Sequence, residues 1–457
     1  MITRLHAKNF KSWKDTGELR LAPLTGLFGT NSSGKTSIMQ ILLMLKQTVE
    51  SPDRKRVLHT GDERSLVDLG TFFDLIHAHQ PNAPLELSLS WELPQSLIVH
   101  DPEKERGQLY NIRRLSFTTS IREESGRVVV DSFAYEFDTH YFGMSRRNGE
   151  KGADKDRYHL THGDYPARRV LGRRWPLPAP VKCYGFPDEA IGYYQNTGFL
   201  PDFVLALEGM FSRIAYLGPL REYPKRSYIW AGERPIDVGR RGDQAVAALL
   251  AARAEGLKSG RGKGKARRYK SIEERVLEWM QKMELIHSFS LKSIAENRKD
   301  YEFRVKKSKT SSEVLITDVG FGVSQLLPVL VLCYYVSEGS IILLEQPEIH
   351  LHPFVQSWLA DVLVDVVKER NIQIIVESHS EHLLRRLQRR IAERAIGPDK
   401  TALYFSRTEN AVSRIERLNV DDHGSITNWP QGFFGDELGD LVAMTEAAIQ
   451  HKQTDPS

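Results

Sequence analysis

The pattern of apolar and polar positions changes character several times along the chain. Residues 1–50 read as two strands, a glycine-rich loop and a helix from Thr36 to Glu50. That helix carries Ile38, Met39, Ile41, Leu42, Leu43, Met44 and Leu45. Apolar nearly all round, it belongs inside the protein against a sheet. Between residues 85 and 138 the runs LELSLSW, RRLSFTTSIR and RVVVDSFAYEF alternate, with turn chemistry at Glu124, Ser125 and Gly126, and predict an antiparallel meander. Residues 138–180 are polar and rich in Gly and Arg, the pattern of a loop-rich surface. Residues 200–290 read as mainly helical, with a break at 256–270. Beyond the break, IILLE and IQIIV are continuous apolar runs, as in a parallel sheet covered on both faces. No repeat of fixed period is present, which excludes a solenoid.

Composition narrows the class. The 457 residues carry a net charge of only +4, with 40% hydrophobic and 27% charged residues, which excludes wholesale disorder. The start MITRLHAKNF has no apolar core of a signal peptide. The apolar run Leu326 to Val336 is about half the roughly 20 residues that span a bilayer. Two distant cysteines, Cys183 and Cys333, exclude a disulfide framework or a cysteine zinc site. These features together predict a cytoplasmic protein with no membrane contact.

The strongest chemical signal is Gly29-Thr-Asn31-Ser32-Ser33-Gly34-Lys35-Thr36, a full G-x-x-x-x-G-K-[ST] match between an apolar strand and a buried helix, with Ser37 next in line. Glycines let backbone amides wrap phosphate oxygens, Lys35 reaches the outer phosphates, and the Thr36 hydroxyl suits Mg²⁺. The expected cofactors are ATP and Mg²⁺. A second signal is the strand Ile341–Leu344 ending in Glu345, followed by Gln346, Pro347 and Glu348. Beside a P-loop, such a strand delivers the carboxylate on the Mg²⁺ side, though any buried strand can end in Glu. A third strand leads into Glu377-Ser-His379-Ser, where the histidine either bonds a terminal phosphate or is structural. The segment Gly320-Phe-Gly322-Val-Ser324-Gln325 opens an apolar helix, with Ser324 the expected N-cap and Pro328 in the first turn.

In this order the motifs resemble the ABC-type ATPase heads, relatives of the structural-maintenance-of-chromosomes, RecF and overcoming-lysogenisation-defect proteins. EQPEIHLHP and ESHSEHLL resemble in particular a prokaryotic "AAA family ATPase" branch, as do YLGPLREYPKRSY and DVGRRGDQAV within 216–246. Members of that branch end in a small C-terminal domain of unknown function, which residues 423–441 resemble. The resemblance implies an α/β fold: an ABC-type P-loop ATPase head, a mixed sheet flanked by helices with an antiparallel β subdomain, split by a mixed α+β insertion. The expected divisions are an N-terminal head part at 1–80, a β subdomain at 81–195, and a helical insertion at 196–305. A C-terminal head part at 306–408 and a small domain at 409–457 complete them.

Carried over residue by residue, the resemblance makes Asn31 to Ser37 nucleotide-binding and gives Glu345, with Thr36, the Mg²⁺ position. His379 becomes the switch histidine, and Gly322, Ser324 and Gln325 the signature loop, without the usual LSGGQ string. The position after the Mg²⁺ acid is normally Glu and is here Gln346, which cannot accept a proton; Glu348 is the candidate substitute. The Q-loop glutamine has no clear counterpart. His350 and His352 alternate, which suits a strand face but not the helical spacing of a zinc protease, and His382 reads as structural. Arg221 is a candidate contact for phosphate or for a second protomer.

Two basic segments, 258–270 and 385–394, are either solvated faces or contacts for nucleic acid or an acidic partner. The resemblance implies a homodimer or higher homo-oligomer of heads acting as a switch on a separate effector, a nuclease, in prokaryotic defence. A RecF-like DNA-repair ATPase is the alternative. No nuclease is expected within these residues, since the fewer than 80 that follow the ESHS segment match the small C-terminal domain.

Overall fold

The computed structural model describes residues 1–80, 83–102, 104, 107–147, 157–172, 175–260, 269–295, 298–430 and 442–447. Two large sheets organise it. The first is antiparallel and eight-stranded, and joins strand Ile2–Phe10 to the meander formed by Leu85–His100, Gln108–Glu124, Arg127–Phe137, His140–Arg146 and Tyr158–Thr161. The last two of these strands lie inside the segment expected to be a loop-rich surface. The alternation of His140–Arg146 is short and interrupted by Gly143, whose missing Cβ lets Phe133 and Ala134 approach.

The second sheet is six-stranded, in the order Ile214–Leu217, Ile341–Glu345, Gln373–Glu377, Leu24–Gly29, Thr401–Glu409, Val412–Leu418. Its first five strands are parallel and the last pairs antiparallel. Continuous apolar strands make sense here because each buries both faces. Ile341 and Leu343 enter one core with the P-loop helix Lys35–Glu50 and the meander. Ile342 and Leu344 enter a second core with helices Phe321–Tyr335, Pro353–Arg370 and Glu381–Ala392. The P-loop helix is thus clamped between the two sheets, which is why it is apolar nearly all round. Cys183 and Cys333 are both buried free thiols.

Four sequence expectations shift. Strand Ile214–Leu217 falls inside the segment read as a helical insertion, yet it lies beside Ile341–Glu345 in the six-stranded sheet. Four residues are too few to show a period. Strand Val412–Leu418, beyond the expected boundary at 408, closes the same sheet. The apolar helix starts at Phe321 behind Gly320, so Ser324 is not its N-cap; its Oγ donates to Phe321 O within the first turn. Pro328 consequently sits inside the helix and not at its start.

The basic segment 258–270 lies largely outside the described residues; its ends, Lys258–Ser259 and Lys270–Ser271, pair as a short ribbon. Much of 423–441 is likewise outside them. In the second basic segment Arg386 and Arg390 are spent internally, while Arg385, Arg389 and Arg394 are exposed. Arg386 and Arg390 converge on buried Asp361 at 2.8 and 2.5 Å. Arg385 pairs with Glu381 and lies over the Trp429 ring, and Arg389 pairs with Glu393. Among the described residues no helix is long and apolar enough to cross a membrane.

Candidate functional site

The site lies at the carboxyl edge of the parallel sheet, where the strand ends converge. Strand Leu24–Gly29 runs into the P-loop and then the helix from Lys35. Gly29 has φ 140° and Gly34 φ 86°. A Cβ on Gly29 would lie 2.0 Å from Ser406 O, so only glycine allows the loop to leave the sheet here. Asn31 and Ser32 are exposed at the loop tip, and Ser33 is buried, bonded to Thr30 O and Ser406 Oγ at 2.8 and 2.7 Å. Lys35 Nζ donates to the carbonyls of Gly29 and Thr30, and burial pulls its pKa below the usual range.

Two strand ends bring in carboxylates. Glu345 and Glu377 are register partners on adjacent parallel strands. Thr36 Oγ1 lies 3.0 and 2.8 Å from the two carboxylate oxygens of Glu377. Glu345 instead accepts from the Tyr216 hydroxyl at 2.7 Å. Burial raises the pKa of Glu377 to about 7, and the charge of Glu345 adds to the rise. Burial likewise raises Glu345, against the pull of Tyr216 and Arg221. Glu377 is the residue that sequence reasoning missed. Its signal was present: IQIIVE ends in a carboxylate just as IILLE does.

The turn after Glu345 completes the cluster. Gln346 adopts φ 43°, donates its N–H to Glu377 O at 2.9 Å, and directs its side chain to the Glu377 carboxylate. Glu348 is buried and accepts from the His379 N–H at 2.7 Å. Burial raises its pKa. Burial and the neighbouring Lys35 charge lower that of His379, which is therefore neutral near pH 7. Glu345, Gln346, Glu348 and His379 thus gather around Lys35 and Thr36.

Gly322, Ser324 and Gln325 do not join this group. Gly322 approaches Leu351 and His350, Ser324 bonds Phe321, and Gln325 is buried with its amide nitrogen unpaired. His350 is exposed and edge-on to Phe321 at 5.1 Å, and His352 caps helix Pro353–Arg370, so the two have separate structural roles. His382 is exposed. Among the described residues no three His, Cys, Asp or Glu side chains cluster to hold a metal by themselves.

The donor set fits a magnesium nucleotide. Mg²⁺ takes one or two carboxylates, a hydroxyl and substrate phosphates, and Thr36 with Glu345 and Glu377 offers hard oxygen donors of that kind. Two desolvated carboxylates side by side favour a cation, and the glycine cradle with Lys35 favours phosphate.

Fold and site together define a P-loop nucleotide-binding α/β protein. Residues 1–160 and 264–384 match the family model described as "AAA ATPase domain". This match spans more than half of the sequence, and the chain belongs to that family. Residues 396–444 match a "protein of unknown function" family, DUF3696, which begins ahead of the sheet strand Thr401–Glu409. No curated protein matches the chain. Among solved structures it is similar to an SMC head bound to the C-winged helix domain of ScpA, at 13% identity and TM-score 0.44, covering 92% of this chain and 98% of that one. The SMC head domain from Thermotoga maritima is similar at 12% identity and TM-score 0.40, covering 92% and 99%. A Pyrococcus furiosus Smc head with extended coiled coil, bound to the C-terminal domain of ScpA, is similar at 12% and 0.47, covering 98% and 99%.

Proposed function

We propose that the chain is an ATP-binding, slowly hydrolysing ATPase whose nucleotide state controls association of two heads and, through it, a separate effector. The observation that carries the reading is the convergence of Lys35 and Thr36 with Glu345, Glu377 and Glu348 at one sheet edge. In this reading the P-loop amides of residues 31–37 and Lys35 hold the nucleotide phosphates, and Thr36 with Glu345 and Glu377 holds Mg²⁺. Bound there, the metal neutralises phosphate charge. His379, neutral and beside Lys35, donates a hydrogen bond to a terminal phosphate.

Slow turnover follows from Gln346. Its amide can orient water but cannot take the proton, and a positioned base is typically worth roughly 10² to 10⁴-fold in rate. Glu348, with a pKa raised by burial, is the base of this proposal.

Head association is supported by the surface beside the site. Leu220 and Tyr223 are largely exposed, and Phe321 and Phe354 partly so. Tyr223 and Phe321 lie 5.8 Å apart at the start of the helix that carries Gly322, Ser324 and Gln325. An apolar patch of this kind is built for burial against a partner. In this reading the start of that helix at Phe321 and Gly322 faces the nucleotide of a second copy, with buried Ser324 and Gln325 behind it. The effector, a nuclease in prokaryotic defence, rests on the motif resemblance alone. The alternative, direct binding of DNA, draws no support from segment 385–394, whose arginines are mostly paired within the chain. Calorimetric titration with ATP tests the reading: wild type binds and Lys35→Ala does not. Equal binding by both would overturn it.

A further inference from the structure

Arg221 is a second cation of the site, outside the P-loop and the strand-end motifs that carry its other groups. It follows strand Ile214–Leu217 in a loop pinned at both ends, with Gly218 N–H donating to Arg240 O at 2.9 Å and Glu222 N–H to Arg241 O at 2.8 Å. The residue is only 7% exposed, and neither Nε nor Nη1 has a hydrogen-bond partner. Burial lowers its pKa to about 10, while Tyr216, Glu345 and Glu348 act through charge in the opposite sense. It therefore faces the carboxylates of the site without bonding to them.

Glu348 carries the matching deficiency. One carboxylate oxygen accepts from His379 N–H, and the other, Oε2, is buried without a partner. Unsatisfied buried donors are rare because each forfeits its hydration; the carboxylates near Arg221 offset its charge but leave its donors unbonded. An apolar chain of similar length would fill the same space at less cost. The free donors of Arg221 leave a ligand room to supply acceptors, and a guanidinium is suited to phosphate oxygens.

We propose that Arg221 binds the terminal phosphate of a nucleoside triphosphate held by the P-loop of the same chain. The inference rests on the ATP-binding reading and adds to it, besides His379, a cation that separates triphosphate from diphosphate. The loop amides serve phosphates common to both and Lys35 reaches the outer ones, whereas Arg221 follows strand Ile214–Leu217, on the far side of Glu345. Its fixed loop means that little ordering is needed on binding.

The test is calorimetric binding of ATP and of ADP to the full chain, wild type, Arg221→Met and Arg221→Lys. Methionine removes the charge and keeps most of the packing. ATP affinity is expected to fall at least tenfold in Arg221→Met while ADP affinity stays within twofold, with a melting temperature equal to or above wild type. Arg221→Lys is expected to lose ATP affinity less than Arg221→Met, and it decides the same ratio if the methionine variant does not fold. Equal changes for ATP and ADP, or none, overturn the role of Arg221 and leave the P-loop reading standing. Failure of wild type to bind either nucleotide overturns both.

Discussion

Thr36 Oγ1 sits within 3.0 Å of both carboxylate oxygens of Glu377, not of Glu345, although Glu345 ends the strand whose pattern marks the Mg²⁺ acid. The P-loop threonine is thereby tied to strand Gln373–Glu377, and Glu345 to Tyr216.

A Glu377→Gln substitution keeps a polar partner for Thr36 and removes the charge. Mg²⁺ should then enhance nucleotide binding roughly tenfold less than in wild type, with metal-free binding little changed. Fluorescent-nucleotide titration with and without Mg²⁺ measures this. An undiminished enhancement would show that Glu377 serves only to orient Thr36.

Catalytic economy centres on Gln346. Installing a base with Gln346→Glu should raise steady-state turnover about tenfold or more, and Glu348→Ala should lower it. If phosphate release is the same in both variants as in wild type, neither residue handles the attacking water.

Gly29→Ala would place a methyl group 2.0 Å from Ser406 O at φ 140°. The expected cost is about 1 to 3 kcal/mol of backbone strain, visible as a lower melting temperature together with lost nucleotide binding. Retention of both would mean that the loop relaxes freely.

Asp361 gives the pH dependence. Burial pushes its carboxyl up, but the hydrogen bonds and charges of Arg390 and Arg386 outweigh this and hold it below the ordinary 3.8. A depressed carboxylate contributes stability that is present above its unfolded value and is lost as pH falls through the folded one. Wild type should therefore lose stability below about pH 4, and Asp361→Asn should lose about 3 to 5 kcal/mol at neutral pH and show a weaker acid dependence. Denaturant melts across pH 3–7 report both.

Much of this was legible in the sequence because the relevant residues are adjacent in the chain. The P-loop, the strands ending at Glu345 and Glu377, and the buried P-loop helix all announce themselves by local pattern. What depends on distant partners was not. On helix Glu381–Ala392, Arg385 and Arg389 form the solvated basic face the pattern suggests, but that Arg386 and Arg390 turn to Asp361 on helix Pro353–Arg370 was not legible. Strand Ile214–Leu217 is too short to declare itself, and with it the position of Arg221 beside Glu345 was hidden. Ser324 resembles a helix cap in isolation, but Gly320 starts the helix a turn earlier.

The measurement that bears most directly on the proposed switch is native mass with and without ATP, for wild type and Lys35→Ala. The account predicts that ATP doubles the mass of the wild-type assembly unit and leaves the variant unchanged. A mass indifferent to both nucleotide and mutation would contradict it.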